Sequence, residues 1–396
     1  MKRVVQCPVK PLQLFTFIVF FITSVHAQTI EDMSFGTDES FEVVTWNIER
    51  FPKNGQTSID YVARIIKAID ADVYAIQEVD NINSFNDLLD ALPDYEGYLD
   101  SDKFRGLAYI YKNSTVDINS VYEIYNSSSY SRPFPRYPMV MDFDYKGERM
   151  IIINNHFKCC GDSLLDDSNE WDEETRRNQA SVLLEEYIDT NFTDLNVMLV
   201  GDLNDILTDR DEHNVFKIFL DNSDTYTFVD TEISEGASSG WSFPNWPSHL
   251  DHILITNELF DEYEQEDTVV EVLKLEEYIP GGWNAYDANI TDHRPVALKF
   301  KINETLYVEE QRLESMRFVN YPNPFTTSTT FSFPTANEKG TLEIYTGTGQ
   351  LVASTTIAKG QRLVTIQTKE LPVGIYIAKI AFNKKQGATL KLIVTD

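Results

Sequence analysis

The sequence predicts an α/β fold, a two-layer sheet core covered by helices, followed by a small β-sandwich. Three observations lead there. Between residues 41 and 301, apolar runs of strand length alternate with amphipathic stretches of helical period. Strands outnumber helices in that region, which favours packed sheets with helices outside them. From Phe318 onward the chain becomes rich in Thr, Gly and β-branched residues, with turn signals at Pro322-Asn323-Pro324, Gly347-Thr348-Gly349 and Pro372-Val373-Gly374.

Taken in order, the chain opens with Lys2, Arg3 and Lys10, then an apolar run over 12–22 that is too short to span a bilayer but fits a signal-peptide core. Val25-His26-Ala27 offers a small-x-small cleavage site. Residues 1–27 are therefore expected to be a signal peptide and 28–38 a short polar tail. Residues 41–46 read as a buried strand. A helix is expected over 57–69, with Thr57 and Asp60 as a capping box and Ile59, Val62, Ala63, Ile66 and Ile69 as its apolar stripe. Further strands are expected at 73–76, 107–111, 139–143, 150–154, 197–200, 253–255 and 296–300, with a second amphipathic helix over 174–188. Residues 39–302 form one expected domain, 303–317 a charged linker and 318–396 the small sandwich.

Charge separates the parts. The chain of 396 residues carries 63 acidic and 33 basic side chains, a formal net charge of −30. Phe318 onward holds 8 basic and 4 acidic residues, and the rest of the chain 25 and 59. A general basic coat for nucleic acid is excluded, so a polyanionic substrate must be met locally, with help from a metal. After the leader no stretch approaches ~18 consecutive apolar residues. Three cysteines are too few for a disulfide scaffold. Cys7 leaves with the leader, and Cys159 and Cys160 are neighbours that either close a strained vicinal disulfide or stay free thiols.

Six polar clusters adjoin the expected strands: Trp46-Asn47, Gln77-Glu78, Asn155-His156, Asp202-Leu203-Asn204, Asp251-His252 and Asp292-His293. Packed strands bring their ends together, so these groups can line one rim. No serine nucleophile elbow of the G-x-S-x-G type, no zinc motif of the H-E-x-x-H kind and no nucleotide P-loop is expected. What remains is oxygen ligation plus imidazole, which suits Mg²⁺, with Mn²⁺ or Ca²⁺ as substitutes. A metal with His and carboxylates fits attack of water on a phosphate ester.

The segments VVTWNIERF (43–51), DVYAIQEVD (72–80), IINNHFK (152–158), VMLVGDLND (197–205), LDHILI (250–255) and TDHRPVAL (291–298) resemble, in order, those of the endonuclease/exonuclease/phosphatase family. The resemblance covers roughly residues 41–301. It implies a four-layer sandwich, two packed mixed β-sheets flanked by helices. By the same resemblance Asn47, Glu78 and Asp292 match metal-binding positions. Asp202 matches the residue that aligns or activates water, and Asn204 the one that orients water and phosphate. His293 matches the histidine that steadies the transition state, and Asp251 the acid that orients it. His156 matches the second family histidine. Arg136 looks like the phosphate-gripping arginine of deoxyribonuclease-type members, with a loop arginine as the plainer reading. Arg105, a further candidate for substrate binding, falls near a place where pancreatic-type enzymes carry a glutamate instead.

Other residues carry plainer expectations. Alternation along the strand turns His252 away from Asp251, into a structural role. His249 reads as a surface or loop residue. The acidic run 166–174 reads as a solvated loop rather than a Ca²⁺ site. Trp241, Phe243 and Trp246 either stack on a substrate or close the core.

In the tail, Tyr321-Pro322-Asn323-Pro324-Phe325, Leu371-Pro372-Val373-Gly374-Ile375-Tyr376 and Lys391-Leu392-Ile393-Val394 resemble the C-terminal sorting domain of the type IX secretion system. That implies a secreted or surface protein and the secretion machinery as a partner. The expected function is a secreted metal-dependent phosphodiesterase, an endonuclease on DNA or RNA. Two alternatives stand beside it: a phosphatase or phospholipase of the same family, on inositol phosphate or sphingomyelin, and a catalytically silent surface-binding module.

Overall fold

The computed structural model describes residues 28–99, 106–302, 319–333, 336, 339–367, 371–382 and 385–395. The expected leader 1–27, Arg105 and the expected linker 303–317 lie outside them. The described residues fall into two compact units, divided between Lys301 and Ile302. None of their helices is long and apolar enough to cross a membrane.

The first unit contains twelve strands: β1 (Phe41–Phe51), β2 (Val73–Val79), β3 (Tyr95–Leu99), β4 (Gly106–Lys112), β5 (Val116–Glu123), β6 (Met139–Tyr145), β7 (Glu148–His156), β8 (Asn196–Asp202), β9 (Tyr226–Phe228), β10 (Asp251–Thr256), β11 (Val269–Val272) and β12 (Val296–Phe300). They form two six-stranded sheets, ordered β11-β12-β1-β2-β4-β3 and β5-β6-β7-β8-β10-β9. Both are mixed: β1 runs parallel to β2 and β7 parallel to β8, whereas β1–β12 and β8–β10 are antiparallel.

Alternation along each strand decides what each layer packs against. Val44, Trp46, Tyr74 and Ile76 face outward and join Ile59, Val62 and Ile66 of helix α1 (Gln56–Ile69) and Phe85 and Leu88 of α2 (Ile82–Asp90). On the second sheet Ile151, Ile153 and Leu199 meet Leu184 and Ile188 of α3 (Glu173–Asn191). The result is the expected four layers.

The faces between the sheets are apolar at one end and polar at the other. Phe41 of the first sheet lies against Phe143 and Tyr145 of the second, with ring centroids 6.0 and 4.9 Å away. Further along, Gln77 Nε2 donates to Asn154 Oδ1 (2.8 Å), and Asn154 Nδ2 lies 3.0 Å from the carbonyls of Ile76 and Ala108. The buried Tyr109 hydroxyl accepts from Asn154 N (2.9 Å) and faces the Met139 and Ile152 carbonyls at 2.7 and 2.9 Å. These bonds tie the sheets together beneath the polar rim. Tyr109→Phe leaves a buried N–H and two carbonyls without that partner, so it is expected to destabilise the fold by roughly 1–3 kcal/mol. An unchanged midpoint in urea unfolding contradicts this.

Two local expectations are corrected. Helix α1 is not opened by a Thr57/Asp60 capping box: it starts at Gln56, after Gly55, and no side chain caps it. Gly55 has φ 54°, a left-handed turn that suits glycine and starts the helix before Thr57 can act as a cap. Strands β3, β5, β9 and β11 carry no apolar run long enough to be expected from the sequence. Three of them are short strands at sheet edges.

The second unit holds β13 (Val319–Tyr321), β14 (Ser328–Ser332), β15 (Gly340–Thr346), β16 (Leu351–Ile357), β17 (Leu363–Gln367), β18 (Gly374–Phe382) and β19 (Lys385–Val394). The sheets β13-β14-β17 and β16-β15-β18-β19 share a core that includes Phe331, Val364, Leu342, Ile344, Ala378 and Ile380.

Candidate active site

The two sheets bring their polar ends to one rim. Asn47 lies within β1 and Glu78 within β2; both strands run past the limits expected for them. Each breaks register there, between Asn47 and Phe51 and between Ile76 and Val79. The breaks carry positive φ at Glu49 (30°), Arg50 (51°) and Glu78 (64°). Such irregularities re-aim side chains, and non-glycine residues hold them only where their surroundings enforce it. Here the Arg50 N–H donates to Glu78 Oε2 (3.1 Å) and the Glu49 N–H to Asn47 Oδ1 (2.9 Å).

On the second sheet, register does the same work. His156 pairs with Asp202 across the parallel β7–β8 ladder, and Asp251 pairs with Asp202 across the antiparallel β8–β10 ladder. Gly201 permits this approach, because a Cβ there would lie 2.0 Å from the Asn155 carbonyl oxygen. Asp292 and His293 arrive on the turn before β12. The buried Thr291 hydroxyl holds that turn, donating to the Asn47 carbonyl (2.7 Å) and accepting from the His293 N–H (3.0 Å).

One oxygen lies at the centre. Asp202 Oδ2 accepts from Asn47 Nδ2 at 2.9 Å and lies 3.4 Å from His156 Nε2 and 3.8 Å from His293 Nε2. His156 Nε2 is also 4.0 Å from Glu78 Oε1. His293 Nδ1 bonds Asp251 Oδ2 at 2.8 Å, and its Nε2 is 4.0 Å from Asp292 Oδ1. Asn204 adjoins the group: its N–H donates to Asp202 Oδ1 (3.1 Å) and its amide to the Phe157 carbonyl (3.3 Å). Arg136 Nη1 reaches that same carbonyl at 3.4 Å.

Electrostatics follow from burial and crowding. Burial pushes the Asp202 carboxyl up to about 7, opposed by His293 and reinforced by Asp251 and Glu78. Burial alone lowers His293, but the charges of Asp251, Asp202 and Asp292 outweigh it and raise the imidazole to about 10. His293 is thus a cation at neutral pH, with Nδ1 held by Asp251. Asp251 Oδ1 is buried with no hydrogen-bond partner. Crowded carboxylates and an orphaned carboxylate oxygen are what a bound cation relieves, so the residues present fit a divalent ion. Asp202, Asp251 and His293 crowd their polar atoms within 4.8 Å of one another, and there the cationic His293 is a partner to the two acids and not a metal ligand.

The Endonuclease/Exonuclease/phosphatase family matches residues 44–293. The chain belongs to that family. It is a phosphoester hydrolase of this kind, whose enzymes depend on a divalent metal. A second family, the secretion system C-terminal sorting domain, matches residues 320–395 and marks a secreted or cell-surface protein. No curated protein matches the chain. Among solved structures it is similar to D. rerio TDP2 complexed with single-strand DNA product, at 14% identity over 67% of this chain and 100% of that one, TM-score 0.50. It is also similar to the human Nocturnin catalytic domain with bound sulfate, at 16% identity over 66% and 94%, TM-score 0.47. A third is the mannosyl-6-phosphatase of Bacteroides thetaiotaomicron, at 16% identity over 66% and 100%, TM-score 0.45. At these identities the likeness is one of fold.

Two residues beside this candidate site, Glu49 and Lys53, are not expected from the sequence. Glu49 is half-buried beside Asp292; burial raises its carboxyl, with Lys53 opposing and Asp292 reinforcing. Lys53 bridges Glu49 to Asp287. Only the local sequence signal at Glu49, two residues after Asn47, was available. Phe243 packs on His293 with ring centroids 4.8 Å apart, while Trp246 is 78% exposed.

Other expectations need correction. His252 does turn away from Asp251, and it meets Asp230, with Nδ1 2.6 Å from Asp230 Oδ2. His249 is not a surface residue: it is buried, with Nε2 2.9 Å from the same oxygen. The acidic run is not wholly solvated, because Glu174 is buried against Arg177 (3.1 Å) and Asp172 caps α3 by accepting from the Thr175 N–H (2.9 Å). A G-x-S-x-G string does occur, at residues 236–240. It forms an exposed 3-10 turn (Ser238–Gly240) instead of a strand-to-helix elbow, so it supplies no nucleophile of that type.

Proposed function

We propose that the protein is a secreted, Mg²⁺-dependent phosphodiesterase that cleaves extracellular nucleic acid. The observation that carries this reading is the meeting of Asn47, His156 and His293 around Asp202 Oδ2, on a rim shared by both sheets. Residues 1–27 serve as signal peptide, 39–302 as catalytic domain, 303–317 as linker and 318–396 as the part read by the type IX machinery.

Asn47, Glu78 and Asp292 would hold the ion; their donors are oxygens, which suit a hard cation such as Mg²⁺, with Mn²⁺ or Ca²⁺ as substitutes. When bound, the ion screens the phosphate's negative charge. The remaining work falls to the chain. Asp202, poised near neutrality, orients water and accepts its proton, and Asn204 aligns water and phosphate. His293, kept cationic by Asp251, donates from Nε2 to the phosphoryl oxygen that gains charge. His156 protonates the leaving oxygen. Arg136 grips a non-bridging oxygen. Arg136→Ala is expected to raise KM about tenfold with kcat little changed, since a contact made equally to substrate and transition state is lost.

The test is a panel of plasmid DNA, RNA, bis-p-nitrophenyl phosphate, p-nitrophenyl phosphate and sphingomyelin. Cleavage of plasmid or RNA with Mg²⁺ or Mn²⁺, abolished by chelator and restored by the ion, is expected. Intact nucleic acid with hydrolysis of a small ester instead selects the second reading, a phosphatase or phospholipase. The heavily acidic body favours that reading, because long polyanions normally meet Lys and Arg. No hydrolysis of any ester leaves the surface-binding module.

A further inference from the structure

Cys159 and Cys160 take no part in the proposed hydrolysis, yet they follow His156 by three and four residues. Both are free, Cys160 exposed and Cys159 half-buried. The Cys160 thiol donates to Cys159 Sγ at 3.1 Å, so closing a bond of about 2.05 Å needs a shift of only about 1 Å. Lys158 Nζ lies 3.9 Å from Cys159 Sγ.

The backbone around the pair is held by one side chain. Arg177, itself buried, donates from Nη1 to both the Lys158 and the Cys160 carbonyl, each at 2.7 Å. Its Nε donates to Asp205 Oδ2 at 2.7 Å, and Nη2 lies 3.1 Å from Glu174 Oε1. One guanidinium therefore joins the cysteine segment to the loop that follows Asp202 and carries Asn204. The Asn204 amide on the Phe157 carbonyl is a second tie between the same two loops.

We propose that Cys159 and Cys160 form a reversible thiol–disulfide modification site, oxidised by small-molecule disulfides, and that Arg177 passes its state to His156 and Asn204. The chemistry balances through exchange. The exposed Cys160 thiolate attacks the small disulfide, forming a mixed disulfide and expelling one thiol. Cys159 Sγ then attacks the Cys160 sulfur and expels the second thiol, so the cysteines are oxidised by two electrons and the small disulfide is reduced. The hydrogen bond to Cys159, with burial, holds the Cys160 thiol above its ordinary value, so the first step speeds up as pH rises. Adjacent Cα atoms are about 3.8 Å apart, closer than the ~4.4–6.8 Å of ordinary disulfides. Closure thus strains the peptide between two carbonyls that Arg177 holds, and the strain makes the bond easy to reduce. Arg177 acts here as a positioning residue.

The proposal rests on the hydrolase reading only where activity is the readout. The full chain, loaded with Mg²⁺, is equilibrated in mixtures of oxidised and reduced glutathione. Mapping of the 159–160 peptide is expected to show loss of two hydrogens and no glutathione adduct. Hydrolysis of bis-p-nitrophenyl phosphate is expected to lose at least about threefold in kcat, with KM little changed and recovery under dithiothreitol. Cys160→Ser removes the response. Amide hydrogen exchange across 156–158 and 202–205 is expected to quicken on oxidation. A pair that stays reduced, or stops at a stable adduct, overturns the modification site. Unchanged exchange in both segments overturns the coupling. If no ester is hydrolysed in either state, the functional reading fails while peptide mass and exchange still decide this one.

Discussion

His293→Ala lowers kcat/KM for a phosphodiester with Mg²⁺ by about a hundred- to a thousandfold, the effect expected when one preorganised charge facing a developing oxyanion is removed. The loss should fall in kcat rather than KM. Asp251 fixes Nδ1 at 2.8 Å, and its charge is the largest of those that lift His293 to about 10. Asp251→Asn keeps the shape and removes that charge, so His293 drops toward its ordinary value and the alkaline limit of activity moves down in pH. Steady-state rates from pH 6 to 10, with the melting temperature as a control on folding, check both variants. A loss below about tenfold for His293→Ala takes this residue out of the chemistry.

Asp230→Asn is expected to cost roughly 3–5 kcal/mol of stability, as breaking a fully buried ion pair does. Asp230 lies behind the second sheet, wholly buried with His249 and His252, and its Oδ1 also accepts from the Ile253 N–H at 3.1 Å. Burial opposes ionisation of Asp230, but the His252 charge and the two imidazole bonds hold its carboxyl well below the ordinary value of 3.8. Burial lowers His252, and Asp230 outweighs it and raises the imidazole above 6.5. The signs set a window. Asp230's contribution is complete above pH 3.8 and fades as pH falls through its depressed folded value. That of His252 is complete below 6.5 and fades as pH rises through its elevated folded value. The deficit of the variant in urea unfolding should therefore be largest between pH 4 and 6.5. A deficit that does not vary with pH means that packing, and not charge, holds the cluster together.

The layers and much of the site were legible because period and order suffice for them. Runs such as 150–154 and 197–200 are buried on both faces, and two residues beyond each stands a polar residue, His156 or Asp202, that register carries to the rim. His156, Asp202 and Asp251 needed only the right strand neighbours, β7 beside β8 beside β10. Breaks in register were not legible. Nothing in Asn47-Ile48-Glu49-Arg50 announces that β1 turns left-handed there, and so Glu49 was overlooked beside Asp292. Partnerships across long separations were equally silent. His249 sits in a Ser-His-Leu context that suits a loop, and its partner lies 19 positions away. Arg177 looks like one more polar residue of an amphipathic helix until the fold buries it under two loops.

The first and last strands of the catalytic unit, β1 and β12, lie side by side in the middle of one sheet. Asn47 stands on one, and His293 just precedes the other. A chain that ends before Asp292 lacks both His293 and the strand that pairs with β1, however well its earlier layers have formed. The candidate rim is therefore complete only once this final seam has closed.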